Sequence, residues 1–278
     1  MRRPGSPNED LLSIHWPNQF FNPRVYGLSD YLPFPLMRFT DKVCLVTGGS
    51  SGIGRATSLR LAAEGGKVAI LSRTEDSGQA VVVEITQAGG TAIFLKTDVG
   101  NPADLEAAVA AVVAKWQRID VVVNNAAMMT YKPITELSIE EWDQVMNVNL
   151  RAVFLLSKFC LPHMKKGAMV NVSSVHAHDT TPNVIPYAAS KGALEAFTRG
   201  MSREYDSAHV RVNAVAPGAV DTPMLWENPN VKSGQEKVEG AIGQPADLAA
   251  VICFLASDEA AFVNGATLVA DGGRLNIL

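Results

Sequence analysis

The turn Thr47-Gly48-Gly49-Ser50-Ser51-Gly52-Ile53-Gly54 constrains the fold more than any other stretch, because of what stands on either side of it. A short apolar run, residues 43–46, enters it, and a helical pattern begins at Ile53. Glycines at such a junction let the backbone approach a ligand where a Cβ would collide. The helix that starts there offers N–H groups with no intrahelical partner and a partial positive charge. Strand, glycine turn and helix in that order form a cradle for a pyrophosphate. The expected ligand is therefore a dinucleotide, held by Gly48, Ser50, Ser51, Gly52, Ile53 and Gly54. The spacing is G-x-x-x-G-x-G rather than G-x-G-x-x-G, so the signal draws its strength from the flanking elements.

From Asp41 onward, strand-like and helix-like segments alternate. The pattern predicts strands at 43–46, 67–71, 91–95, 119–123, 168–172, 210–215 and 267–270. Helices are expected at 53–63, 75–88, 102–116, 149–164, 186–205 and 246–256. Gly89-Gly90 closes the second helix, and Pro102 opens the third at its favoured first position. Residues 119–123 are nearly all apolar, as a strand covered on both faces should be. The implied class is α/β: a single-domain, doubly wound (Rossmann) parallel sheet with helices on both faces, over residues 39–278.

Residues 1–38 stand apart. Six prolines are scattered there among Trp16, Phe20, Phe21, Tyr26, Tyr31 and Phe34 without periodicity. They read as an irregular arm, disordered or laid on the surface, or else as a stretch ahead of a true start at Met37. Arg2-Arg3 lacks the apolar segment of a twin-arginine signal, and Glu9, Asp10 and Asp30 do not suit a transit peptide. The 24 basic and 28 acidic residues leave a net charge of −4 with no basic block, which disfavours nucleic acid and anionic membranes as partners. No apolar run reaches the ~18 residues of a membrane span. Cys44, Cys160 and Cys253 sit in apolar runs, as buried thiols of a reducing compartment would, so a cytoplasmic protein is expected. His176, His178 and Asp179 are too thin a ligand set for a metal, and none is expected.

Tyr187-Ala188-Ala189-Ser190-Lys191 falls in a predicted helix, which puts Tyr187 and Lys191 on one face. A phenol beside an ammonium is a tunable acid/base, since a nearby positive charge favours the phenolate. At the end of the second strand, Ser72-Arg73 offers no acid for a ribose hydroxyl but a cation for a 2′-phosphate. NADP(H) is favoured on that ground, and NAD(H) stays open.

These residues resemble the short-chain dehydrogenase/reductase family, of the classical type, from Asp41 to Gly273. The marks are Thr47 to Gly54, Asp98-Val99, Asn124-Asn125-Ala126-Ala127, Asn149, Ser173-Ser174, Tyr187 with Lys191, and Pro217-Gly218. Ala127 stands where the family most often has glycine, a departure of one methyl group. The resemblance implies that Tyr187 is the acid/base, that Ser174 hydrogen-bonds the substrate oxygen, and that Lys191 binds the nicotinamide ribose and lowers the tyrosine's pKa. It implies a proton relay through water held by Asn149. Asp98 and Val99 would read the adenine, Asn125 and Ala126 would flank the cofactor, and Pro217, Gly218, Val220 and Thr222 would hold the carboxamide. Homo-oligomers, tetramer or dimer, packed through the helices bearing Asn149 and Tyr187 are also implied.

The expected activity is oxidoreduction between a secondary alcohol and a ketone or aldehyde, on a small-molecule substrate. Met128, Met129, His176, Ile185, Met224, Leu225 and Trp226 would line the substrate end, under a lid of residues 225–240. The rival is a non-catalytic dinucleotide-binding regulator of the same fold. Retention of Asn149, Ser174, Tyr187 and Lys191 weighs against it.

Overall fold

Seven short apolar strands pair side by side, all parallel. They are β1 (Val43–Thr47), β2 (Lys67–Ser72), β3 (Thr91–Lys96), β4 (Val121–Asn124), β5 (Gly167–Val172), β6 (Val210–Pro217) and β7 (Thr267–Ala270). Their order is β3-β2-β1-β4-β5-β6-β7, the doubly wound sheet that the alternation predicts. This computed structural model describes residues 37–206, 208–234, 237, 238 and 240–276. Residues 1–36, nearly all of the expected arm, lie outside the described residues.

Every residue of β1, β4 and β6 is buried, so the two-residue alternation of side chains feeds two cores rather than one core and solvent. Cys44 and Val46 face α1 (Gly52–Ala63), α2 (Glu75–Gln87) and α9 (Pro245–Ala256), where Leu61, Ile85 and Ile252 cover them. Val43 and Leu45 face α3 (Pro102–Trp116), α5 (Ala152–Cys160) and α6 (Ile185–Glu204), against Leu105, Leu156 and Met201. Leu61, Leu105 and Leu156 are fully sealed, each contributing about 1.5–3 kcal/mol of transfer free energy. Buried Arg211 on β6 donates to the Leu255 and Ser257 carbonyls at 2.9 and 2.8 Å, placing a cation at the C-terminal end of α9.

Most predicted boundaries hold to within one or two residues. The helix expected at 149–164 differs. An additional helix, α4 (Ile139–Met146), precedes it, opened by a capping box in which Ser138 and Glu141 bond each other's backbone N–H at 3.1 and 3.0 Å. A wide π turn, Asn147–Arg151, follows, then α5 and a short 3₁₀ turn, Leu161–His163. Residues 139–163 are thus 25 continuous helical residues, and an 18-residue window within them has a mean hydropathy of 1.2, long and apolar enough on paper for a bilayer. Val153, Leu156 and Cys160 pack into the core instead, which makes this a core helix. The fourth strand starts at Val121, two residues later than expected, and just before it the Asp120 carboxylate accepts from the Val43 N–H at 2.8 Å and pairs with Arg118.

The strand order reverses between β1 and β4, and an α/β sheet opens its crevice beyond the strand ends at such a point. The glycine turn lies there. Gly48 has φ +62°, and a Cβ on Gly54 would lie 2.2 Å from the Gly48 carbonyl oxygen and 2.5 Å from Asn125 Nδ2. Gly54→Ala is expected to destabilise by about 1–3 kcal/mol through overpacking and to weaken dinucleotide binding. Gly200→Ala, where a Cβ meets nothing within 4 Å, should be neutral or slightly stabilising. Denaturation midpoints of the two variants that did not separate in this order would refute the close contact.

Candidate active site

A cleft of about 440 Å³ runs along the C-terminal strand ends. Every predicted cofactor-binding residue except Gly54 lines it, and so do Ser174, Tyr187 and Lys191. Gly54 sits behind the turn against Gly48, and Asn149 is buried beside the site.

The turn is braced from below. Thr47 Oγ1 accepts the Asn125 and Ala126 N–H groups at 3.0 and 3.1 Å. Asn125 Nδ2 donates back to the Thr47 and Gly48 carbonyls at 2.9 and 3.3 Å, so its side chain shapes the turn. Asp98 is likewise fixed, its carboxylate accepting from Gly100 N at 2.9 Å and its own N–H donating to Asp104. A dinucleotide fits this donor set. The cradle is glycine where a Cβ would collide, no side chain caps the N-terminus of α1, and its first turn carries no acid. Arg73 lines the cleft at the end of β2.

Tyr187 and Lys191 lie one turn apart on α6, with Lys191 Nζ 5.5 Å from the centre of the tyrosine ring. Burial pushes the Tyr187 phenol up to about 12, and a hydrogen bond with Ser174 pulls the other way. Burial pushes the Lys191 ammonium down to about 7, where it donates to the Val172 carbonyl at 2.6 Å. The sequence leads one to expect a phenol lowered by its lysine. In the folded chain desolvation of the phenolate raises it instead, and the group that opposes this is Ser174. Ser174 caps a 3₁₀ turn, Val175–Ala177, and its Oγ accepts from His176 N at 3.2 Å.

Asn149 sits in the π turn, a distortion often found at functional sites. Its Nδ2 donates to the Met128 carbonyl at 2.9 Å and to Ser190 Oγ at 3.0 Å, and its Oδ1 accepts from Met128 N at 2.8 Å. Ser190 in turn donates to the Tyr187 carbonyl at 2.7 Å. Asn149 thus ties the loop after β4 to the helix that carries Tyr187.

Met128, Met129, His176, Met224 and Leu225 line the cleft as expected, whereas Ile185 and Trp226 do not. Ile185 is exposed, and Trp226 Nε1 bonds Asp221 at 2.7 Å. His176 packs edge-on against the Tyr187 ring, 5.8 Å between centres. Tyr131, Val238 and Arg274 also line the cleft, and no sequence signal marks them. The expected lid holds two short helices, α7 (Pro223–Trp226) and α8 (Pro229–Lys232); Pro223, Met224 and Leu225 of α7 line the cleft, while residues 235, 236 and 239 lie outside the described residues.

A family model described as enoyl-(acyl carrier protein) reductase matches residues 48–274. The chain is 38% identical over 244 residues to a cyclopentanol dehydrogenase of Comamonas sp. strain NCIMB 9872, covering 85% of this chain and 98% of that one. It is 38% identical over 244 residues to the 3-oxoacyl-[acyl-carrier-protein] reductase FabG of Thermotoga maritima, covering 85% and 99%. A short-chain dehydrogenase from Burkholderia cenocepacia J2315, solved in complex with NADP, superposes with a TM-score of 0.78 at 34% identity, covering 84% of this chain and 98% of that one. The chain belongs to the short-chain dehydrogenase/reductase family, of the classical type. It is an oxidoreductase of CH–OH groups, acting on small-molecule alcohols and ketones with an NAD(P) cofactor.

The Lys191 shift has a measurable sign in the cofactor-free protein. Between about 7 and 10.5 the unfolded chain holds a proton on this lysine that the folded chain does not, so stability contributed here rises with pH across that window. Raising the pH from 7 to 10 should therefore move the Tm of wild type upward relative to Lys191→Met. A Tm difference that stays constant over this range would contradict the burial of the ammonium.

Proposed function

We propose that the protein interconverts a secondary alcohol and its ketone, or an aldehyde, with Tyr187 as the acid/base and NADP(H) as the preferred cofactor. The observation that carries this reading is the convergence of Tyr187, Ser174 and Lys191 at one end of the cleft that begins at the glycine turn. Bound NAD(P) would supply a hydride acceptor or donor. The chain's own residues handle the oxygen. Ser174 directs its hydroxyl at the substrate oxygen and stabilises charge developing there. In reduction, Tyr187 gives its proton to that oxygen, and a phenol held near 12 is in the required form at neutral pH. In oxidation it must accept the proton as phenolate, which the Ser174 hydrogen bond and a charged Lys191 favour. Asn149 keeps the Met128 loop and the Tyr187 helix in register.

Arg73 supports the preference for NADP(H), since a guanidinium at the end of β2 pairs with a 2′-phosphate and gains nothing from a bare ribose. A charge-assisted hydrogen bond of about 1.5–3 kcal/mol corresponds to roughly ten- to a hundredfold in affinity. Absorbance assays over a panel of cyclic and acyclic secondary alcohols and ketones test both points. Tyr187→Phe is expected to abolish turnover while still binding cofactor, and Arg73→Asp to shift the preference from NADP to NAD. Unchanged turnover in the first variant, or unchanged preference in the second, would remove the corresponding assignment.

An apolar groove formed by Met146, Leu150, Phe154 and Phe197 on α4 to α6, with Phe154 48% exposed, supports self-association through these helices. The expected species by sedimentation velocity is a dimer or tetramer. A monomer at micromolar concentration would count against it.

A further inference from the structure

We propose that Glu195 and His178 are positioning residues, which fix the direction of the Ser174 hydroxyl by clamping both ends of the turn that carries it to the Tyr187 helix. The inference rests on the role given to Ser174 above. Ser173 Oγ donates to Glu195 Oε1 at 2.8 Å, and His178 Nε2 lies 3.2 Å from the same oxygen. Ser174 stands between these two anchors, and its own Oγ caps the intervening 3₁₀ turn. Glu195 lies four residues after Lys191 and eight after Tyr187 on α6, so the clamp is in rigid register with both.

The carboxylate is buried, its side chain 7% exposed, and a buried carboxylate persists only where donors surround it. Two donors meet it here. The near end of the turn has a second attachment, because Ser173 N donates to the Val215 carbonyl on β6 at 2.7 Å. The far end has less. His178 N reaches back to Val175 O within the turn, and the contact with Glu195 adds a polar tie to α6 beside the packing of His176 on the Tyr187 ring. Neither Glu195 nor His178 lines the cleft, so their effect on chemistry passes through the turn.

The test measures kcat, KM and cofactor affinity for the panel alcohol that wild type oxidises fastest. The variants are His178→Ala, His178→Gln, Ser173→Ala, Ser174→Ala and the His178→Ala/Ser174→Ala double substitution. His178 is 38% exposed, so its truncation leaves the core intact. His178→Ala should lower kcat roughly ten- to a hundredfold, the cost of displacing a reacting group by about 1 Å, with cofactor affinity unchanged. His178→Gln, which can still donate to Glu195, should recover most of that loss, and Ser173→Ala should lose part of kcat. In the Ser174→Ala background His178→Ala should cost nothing further. Wild-type kcat in His178→Ala beside a crippled Ser174→Ala would overturn this inference alone, as would an undiminished loss in the double variant. Full activity in Ser174→Ala, or no turnover by wild type on any member of the panel, would overturn the reading of the site itself.

Discussion

Thr47 Oγ1 accepts from two backbone N–H groups of the β4 loop, and Asn125 Nδ2 returns to two carbonyls of the glycine turn. These four contacts cross the point where the strand order reverses. The Gly48 N–H adds a bond to the Leu71 carbonyl at the end of β2, so three neighbouring strands finish at one knot. Each such buried bond is worth only about 0.5–1.5 kcal/mol net, while an orphaned partner costs about 1–3 kcal/mol. The knot therefore resists piecemeal change. It also sets the distance between the turn and the loop that Asn149 holds, and through Asn149 the placement of Tyr187.

Burial supplies the electrostatics of the other half of the cleft. It drives the phenol and the ammonium in opposite directions, each toward its neutral form, although their ordinary values are nearly equal. The pair is poised, with the phenol held neutral and the ammonium, near 7, between its charged and neutral forms. A charge arriving at either would be felt strongly in so dry a place. Ser174 is the polar contact that moderates the tyrosine, which is why the orientation of its hydroxyl matters.

Much of this was legible in the chain because the signals are local. The glycine turn, the Tyr187–Lys191 spacing and the apolar strands each declare themselves within a few residues. Ser138 and Glu141 form a capping pattern at the usual spacing, yet the apolar run that should follow is short, so α4 is not marked in the sequence. Tyr131 and Arg274 reach the cleft only through tertiary packing, so no sequence neighbourhood marks them. The same holds for the sign of the Tyr187 shift. A lysine four residues away is visible in sequence, whereas the desolvation that raises the phenol comes from distant parts of the chain.

The π turn carries a consequence for how this helix can change. At Ala152 the backbone N–H reaches back five residues to the Asn147 carbonyl, so this stretch holds one residue more than a regular helix of equal height. Deleting a single residue there would restore ordinary winding at nearly the same height, so the residues beyond would keep their phase around the axis. Val153, Leu156 and Cys160 would keep their places against the sheet, and what would be lost is the widened turn that carries Asn149. The extra residue thus belongs to the active site alone, and the packing of α5 could survive a deletion that the site could not.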